Sequence, residues 1–198
     1  MIKVGFICEG YTERILLEST AFRQLLTSLN IELLQVINAQ GCENLLPHNI
    51  KPYTTILENL GARHIVIVTD LDDDSCVTET KNRISARRQD IVIVAVKKIE
   101  AWFLACSVEM SHLIQKPQFK FSKPEEEKEP FDTINQLLID NTGRGVGRRS
   151  GKIKLARRML EIGFDLANAA AHPNCPSAAY FLRKLKEIGA SGAGDGTA

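Results

Sequence analysis

Carboxylates stand at two places in this 198-residue chain where an apolar run has just ended. Glu9-Gly10 follows residues 2–8 (IKVGFIC), and Asp70-Leu71-Asp72 follows residues 63–69 (RHIVIVT). If both runs are parallel strands, Glu9, Asp70 and Asp72 share one sheet edge. They converge if the two strands are neighbours. Three carboxylates brought together repel one another strongly. A divalent cation relieves that, and hard oxygen ligands suit Mg²⁺ or Mn²⁺. Gly10 offers a backbone able to turn tightly beside a bound cofactor. Asp73 and Asp74 are either further ligands or solvated turn residues. Glu100, just past a fourth apolar run, is either a further ligand or a helix N-terminal acid favoured by the dipole.

The elements that must position these groups alternate regularly. Residues 2–8, 31–37, 63–69 and 91–96 read as strands, because they are short, apolar and rich in β-branched residues. Those at 63–69 and 91–96 leave no polar face, as buried parallel strands do. Helical spacing runs from a Thr12 cap to about Leu29, then over 53–59, 77–88 and 99–105. Strand then helix, four times over, is an α/β pattern with a parallel sheet. Ligands of such sheets bind outside the carboxyl ends of the strands. From residue 107 on, no further strand is expected. Residues 116–130 read as a loop, 131–140 as a helix, 151–162 as a helix capped by Ser150, and 177–188 as a last helix. The division expected is an α/β domain over 1–106, a basic helical region over 107–188 and a disordered tail over 189–198.

Charge follows the same division. The formal net charge is only +1. Residues 144–187 nevertheless carry ten basic side chains against three acidic ones, a balance of +7, whereas 1–143 stand at −5. Arg144, Arg148, Arg149, Lys152 and Arg157 belong to the densest part. They are candidates for gripping a phosphate backbone, the alternative being a solvated face. The five cysteines show no C-x-x-C pair, so reduced thiols in a cytoplasmic protein are expected. No apolar run nears the length of a membrane span, so no membrane partner is expected.

Two rival motifs fail. An EF-hand beginning at Asp70 needs Gly and Glu where the chain has Ser75 and Lys81. A P-loop at Gly147 is one residue short before Gly151, and Lys152 is followed by Ile153 instead of Ser or Thr.

Glu ending the first strand and Asp-x-Asp ending the third, within four βα units, resemble the Toprim domain. Glu9-Gly10-Tyr11-Thr12-Glu13 is similar to the E-G-x-T-E form of its overcoming-lysogenisation-defect nuclease and defence-associated branch. Residues 99–104 (IEAWFL) and 174–177 (NCPS) look like small stand-alone bacterial proteins of that branch. The resemblance implies a four-stranded parallel sheet with flanking helices, followed by a mainly helical C-terminal region. It also implies that Glu9, Asp70 and Asp72 bind one or two Mg²⁺ or Mn²⁺ and that Glu9 serves as general acid or base. The activity implied is phosphodiester hydrolysis on nucleic acid, with DNA ahead of RNA, in phage defence or DNA repair. A partner ATPase is a further expectation. Tyr11, Tyr53 and Tyr180 are expected to be packing residues, so water is the expected nucleophile. The alternatives are a non-catalytic or partner-dependent module, and a nucleotide phosphohydrolase or phosphotransferase.

Overall fold

A computed structural model describes residues 1–84, 90–147 and 150–191. Strands β1 (Ile2–Cys8), β2 (Ile31–Asn38), β3 (His64–Asp70) and β4 (Ile91–Ala95) form one sheet of order β2-β1-β3-β4. Every pairing in it is parallel. The chain is thus an α/β protein with a Toprim-like four-stranded sheet. After β4 the described residues contain helices and no strand.

Side-chain alternation divides the core in two. Val4, Phe6 and Cys8 of β1, Val66 and Val68 of β3, and Ile93 and Ala95 of β4 enter one apolar cluster. Ile7, Ile65, Ile67, Val92 and Val94 enter the other. Both faces of these strands are therefore covered, as their unbroken apolar runs require. The smaller cluster is closed by Leu57 of α3 (Lys51–Asn59) and Ile84 of α4 (Val77–Ile84). Gly5 makes room there, because a Cβ on it would lie 2.7 Å from both Leu57 methyl carbons.

Helices α1 (Tyr11–Leu17), α2 (Thr20–Ser28), α5 (Glu100–Ala105) and α6 (Ser107–Leu113) join the larger cluster. So do α7 (Pro130–Thr142), α8 (Gly151–Ile162), α9 (Leu166–Ala170) and α10 (Pro176–Ser191). The C-terminal helices thereby share the core of the sheet. None of the described helices is long and apolar enough to cross a membrane.

Four local expectations are corrected. The helix expected from Thr12 to Leu29 is two helices, because the Ser19 side chain accepts the amide of Phe22 and starts a new one. Ser150 precedes α8 but makes no side-chain cap, its backbone being left-handed at φ +57°. Gly189–Ser191 continue α10 instead of opening the tail. Gly189 lets this helix pass Leu29, whose carbonyl oxygen would lie 2.1 Å from a Cβ. Tyr11 is exposed instead of packed. Residues 192–198 of the expected tail, like Arg148 and Arg149, lie outside the described residues.

A buried polar chain ties α5 to α10. Trp102 Nε1 donates to Ser177 Oγ at 2.8 Å. Ser177 Oγ and the Ser177 amide both donate to Glu125 Oε1, at 2.6 and 2.9 Å. Glu125 lies in the 3-10 turn Pro124–Glu126, within the stretch expected to be loop. Ser177→Ala leaves the indole N–H unpaired in the interior and removes one of the two hydrogen bonds that Glu125 Oε1 accepts. It should cost about 1–3 kcal/mol, read as a lowered midpoint of urea unfolding.

Candidate functional site

The switch point of this sheet lies between β1 and β3, where the chain has gone outward to β2 and then returned to the other side. Register sets what meets there. Cys8 pairs with Val68, so the residue after β1 lies beside Thr69 and Asp70. The Glu9 amide donates to the Val68 carbonyl at 3.1 Å. Glu9 Oε2 accepts the Thr69 hydroxyl at 2.6 Å. Asp70 pairs with Ala95, which carries the end of β4 past it, and the Ile99 amide donates to Asp70 Oδ1 at 2.8 Å. Asp72, at a left-handed φ of +46°, is exposed and is tied to β4's exit by its amide bond to the Lys97 carbonyl, 3.0 Å. Glu9, Asp70 and Asp72 therefore stand at one sheet edge, on neighbouring strands.

Two further carboxylates join them. Glu13 is buried in the first turn of α1. Its Oε2 comes within 3.0 Å of where a Cβ on Gly10 would be. Gly10 itself is extended, at φ −140° and ψ −171°, so its value here is the missing Cβ and not a special backbone. Glu100, first residue of α5, is 1% exposed, and neither of its oxygens has a hydrogen-bond partner. Its nearest cation is Lys152 of α8, with Nζ 3.4 Å from Oε1.

The electrostatics record this crowding. Asp70 is packed round with protein while keeping some contact with solvent. Burial, reinforced by Glu13, Glu100, Glu9 and Asp72, holds its carboxyl well above the usual range. Burial likewise pushes Glu13 up to about 7, with Glu100 and Glu9 adding to it and Lys152 opposing. Asp74 does not enter this group. Its Oδ2 accepts from Thr80 at 2.7 Å and from Arg83 at 2.6 Å, both in α4. Asp73 is exposed in the turn.

Of the basic candidates, Lys152 reaches the carboxylates. Arg144 lies exposed in the loop after α7, and Arg157 is exposed on α8. Glu13 was the residue overlooked among the sequence candidates. It stands in the quoted E-G-x-T-E stretch, but only the packing of α1 turns it inward. The pairing of Glu100 with Lys152 spans 52 positions and left no local signal.

An all-parallel sheet with Glu after its first strand and Asp-x-Asp after its third is consistent with a Toprim-like fold. Residues 3–72 match the family model described as overcoming lysogenization defect protein-like, TOPRIM domain, so this stretch of the chain is similar to a Toprim domain of that type. No curated protein and no solved structure matches the chain. The match ends at Asp72, and β4, Glu100 and Lys152 lie beyond it.

Toprim domains typically bind Mg²⁺. Among the described residues, no three acidic, His or Cys side chains already close round one point as metal ligands do. The donor chemistry nevertheless fits a hard divalent ion. All five groups are carboxylates, and two buried oxygens of Glu100 lack a hydrogen bond.

The sign of the resulting pH effect follows from the raised carboxyls. A folded pKa above the unfolded one stabilises at low pH, and that contribution is lost as pH rises through the folded value. For Glu13 the loss spans the ordinary value of 4.5 up to about 7. His64, lowered by burial and Arg63, works oppositely but titrates below 6.5. The metal-free chain in EDTA should therefore melt lower at pH 8 than at pH 6.5. Added Mg²⁺ should raise the melting temperature more at pH 8, as differential scanning fluorimetry would show.

Proposed function

We propose that this chain is a divalent-metal-dependent nuclease that hydrolyses phosphodiester bonds of nucleic acid. The observation that carries the reading is the convergence of Glu9, Asp70 and Asp72 with buried Glu13 and Glu100 at the β1/β3 crevice. With the carboxyls of Asp70 and Glu13 raised among them, these acidic groups are poised to exchange protons for a metal ion. The Toprim match supports nucleic-acid-directed, metal-dependent chemistry.

Glu9, Asp70 and Asp72 would hold Mg²⁺ or Mn²⁺, with Glu13 and Glu100 completing the set. When bound, the ion lowers the pKa of water and offsets charge building on the phosphate. The residues of the chain do the rest. Thr69 fixes one oxygen of Glu9 and leaves the other to take a proton from the attacking water. The amide of Ile99 fixes Asp70 in the crevice. Lys152, 46% exposed and beside Glu100, presents its ammonium toward the space a phosphate oxygen would enter. Exposed Arg144 and Arg157 add attraction for the backbone that weakens with salt.

Asp72→Asn is the discriminating variant, because Asp72 is exposed and its loss should not unfold the chain. It should lower Mg²⁺- or Mn²⁺-dependent cleavage of plasmid DNA about a hundredfold or more, with the melting temperature in EDTA unchanged. Equal cleavage by the variant would remove Asp72 from the site. Parallel incubations with RNA and free nucleotides separate a polymer nuclease from a nucleotide phosphohydrolase. Nucleic-acid binding without cleavage would instead mark a module that needs a partner ATPase.

A further inference from the structure

Beside the carboxylates lies a cleft of about 460 Å³ lined by Asp72, Asp73, Lys97, Lys98, Lys128 and Glu129. Its contents are unusual in one respect. Glu129 sits at the N-cap position of α7, yet its side chain caps nothing in that helix. It reaches instead to Lys98, with Oε2 2.6 Å from Nζ. Lys98 lies three residues past the end of β4, and its carbonyl helps start α5 by accepting from Ala101.

The two partners differ in how much they need each other. The Lys98 side chain is only 21% exposed, whereas that of Glu129 is 58% exposed. Burial works against the charge on Lys98, and Glu129, Asp72 and Glu100 more than offset it. The one direct ion pair of Lys98 is with Glu129. Glu129 is held low by Lys98 and, from further away, by Lys152. It is therefore a singly charged oxyanion placed on Lys98, beside the carboxylate crevice. It stands on a surface segment that gains little from the ion pair.

A backbone phosphate is also a singly charged oxyanion. It can satisfy Lys98 as well as a carboxylate does, and it brings the walls of Lys97 and Lys128 into contact with a strand. We propose that Lys98, flanked by Lys97 and Lys128, is a subsite for a nucleic-acid phosphate next to the one cleaved, and that Glu129 fills it until substrate displaces it. This rests on the nuclease reading and names how the strand leaves the crevice on the β4 side.

The test measures binding without cleavage, using the full chain in EDTA. Fluorescence anisotropy would follow a labelled DNA duplex and the corresponding single strand over a range of salt. Glu129→Gln should bind about two- to fivefold tighter, the gain expected from removing one competing ion pair. Lys98→Gln should bind weaker, with its salt slope shallower by about 0.9 on duplex or 0.7 on single strand. Adding Glu129→Gln to Lys98→Gln should then give no gain. Glu161→Gln, on the exposed face of α8, controls for net charge and should change little.

Glu129→Gln that binds no tighter than wild type, or gains equally in the absence of Lys98, overturns the subsite. If that happens while Arg157→Gln still weakens binding, the nuclease reading stands and the subsite alone falls. A wild-type chain that binds neither DNA removes the subsite together with the polymer substrate. Glu129 is exposed, so its variant will fold, and a melting curve verifies this for Lys98→Gln.

Discussion

Mutual repulsion among Glu9, Glu13, Asp70, Asp72 and Glu100 is the constraint around which the rest of this structure is arranged. Like charges at short range would push the ends of β1, β3 and β4 apart. Each carboxylate is accordingly carried by something stiff. Glu9 is fixed by the Thr69 hydroxyl, Asp70 by the Ile99 amide, and Asp72 by the backbone bond to Lys97. Glu100 makes no hydrogen bond of its own. Its place is held through the helix bearing it, because Trp102, two residues on, is anchored to Ser177 and Glu125. A buried network of this kind specifies position as much as it stabilises, provided every member is paired.

That arrangement gives the C-terminal helices a second task beyond covering the sheet. Ser177 heads α10 and anchors α5, while Lys152 heads α8 and approaches Glu100. The basic balance of residues 144–187 is thus partly spent internally. Lys152 faces Glu100, and Arg183 and Lys184 pair with Glu187. Arg183 and Lys184 also lie near the Tyr180 ring, over which Lys81 stacks at 3.9 Å. Only part of the charge read as a grip for nucleic acid is directed outward, with Arg144 and Arg157 among it.

The strands were legible because burial on both faces leaves an unmistakable mark. The four apolar runs agree with β1 to β4 to within one residue at either end. Glu9, Asp70 and Asp72 were legible as neighbours for the same reason, since residues just past parallel strands share an edge. Glu13 was not, because a carboxylate inside a helix turn is ordinarily solvated, and only the seating of α1 on β1 turns this one inward. Short α6 and α9 were missed because seven and five residues carry too little periodicity to stand out. The stretches 99–104 and 174–177 were each legible as likenesses. That they meet, through Trp102 and Ser177, is a fact of packing across 75 positions.

Charge accounting at the crevice bears on what the proposed site will accept. Lys98 and Lys152 are among the lysines near the five carboxylates. Lys98 already carries Glu129, so it does little to relieve the crevice while that pair lasts. Protons on Asp70 and Glu13 cover part of the remainder, and the proton on Glu13 leaves as pH rises through about 7. A divalent ion and a phosphodiester then arrive as complementary loads. On that proposal Glu9, Asp70 and Asp72 would hold the cation, which would offset their charge, and a phosphate would take over the lysine that Glu129 releases. Each makes the other's entry less costly, because the cation attracts the phosphate and the phosphate adds ligand oxygens for the cation. On the nuclease reading, metal and strand should therefore bind with positive coupling, and the lysines at the β4 exit are where that coupling enters the protein.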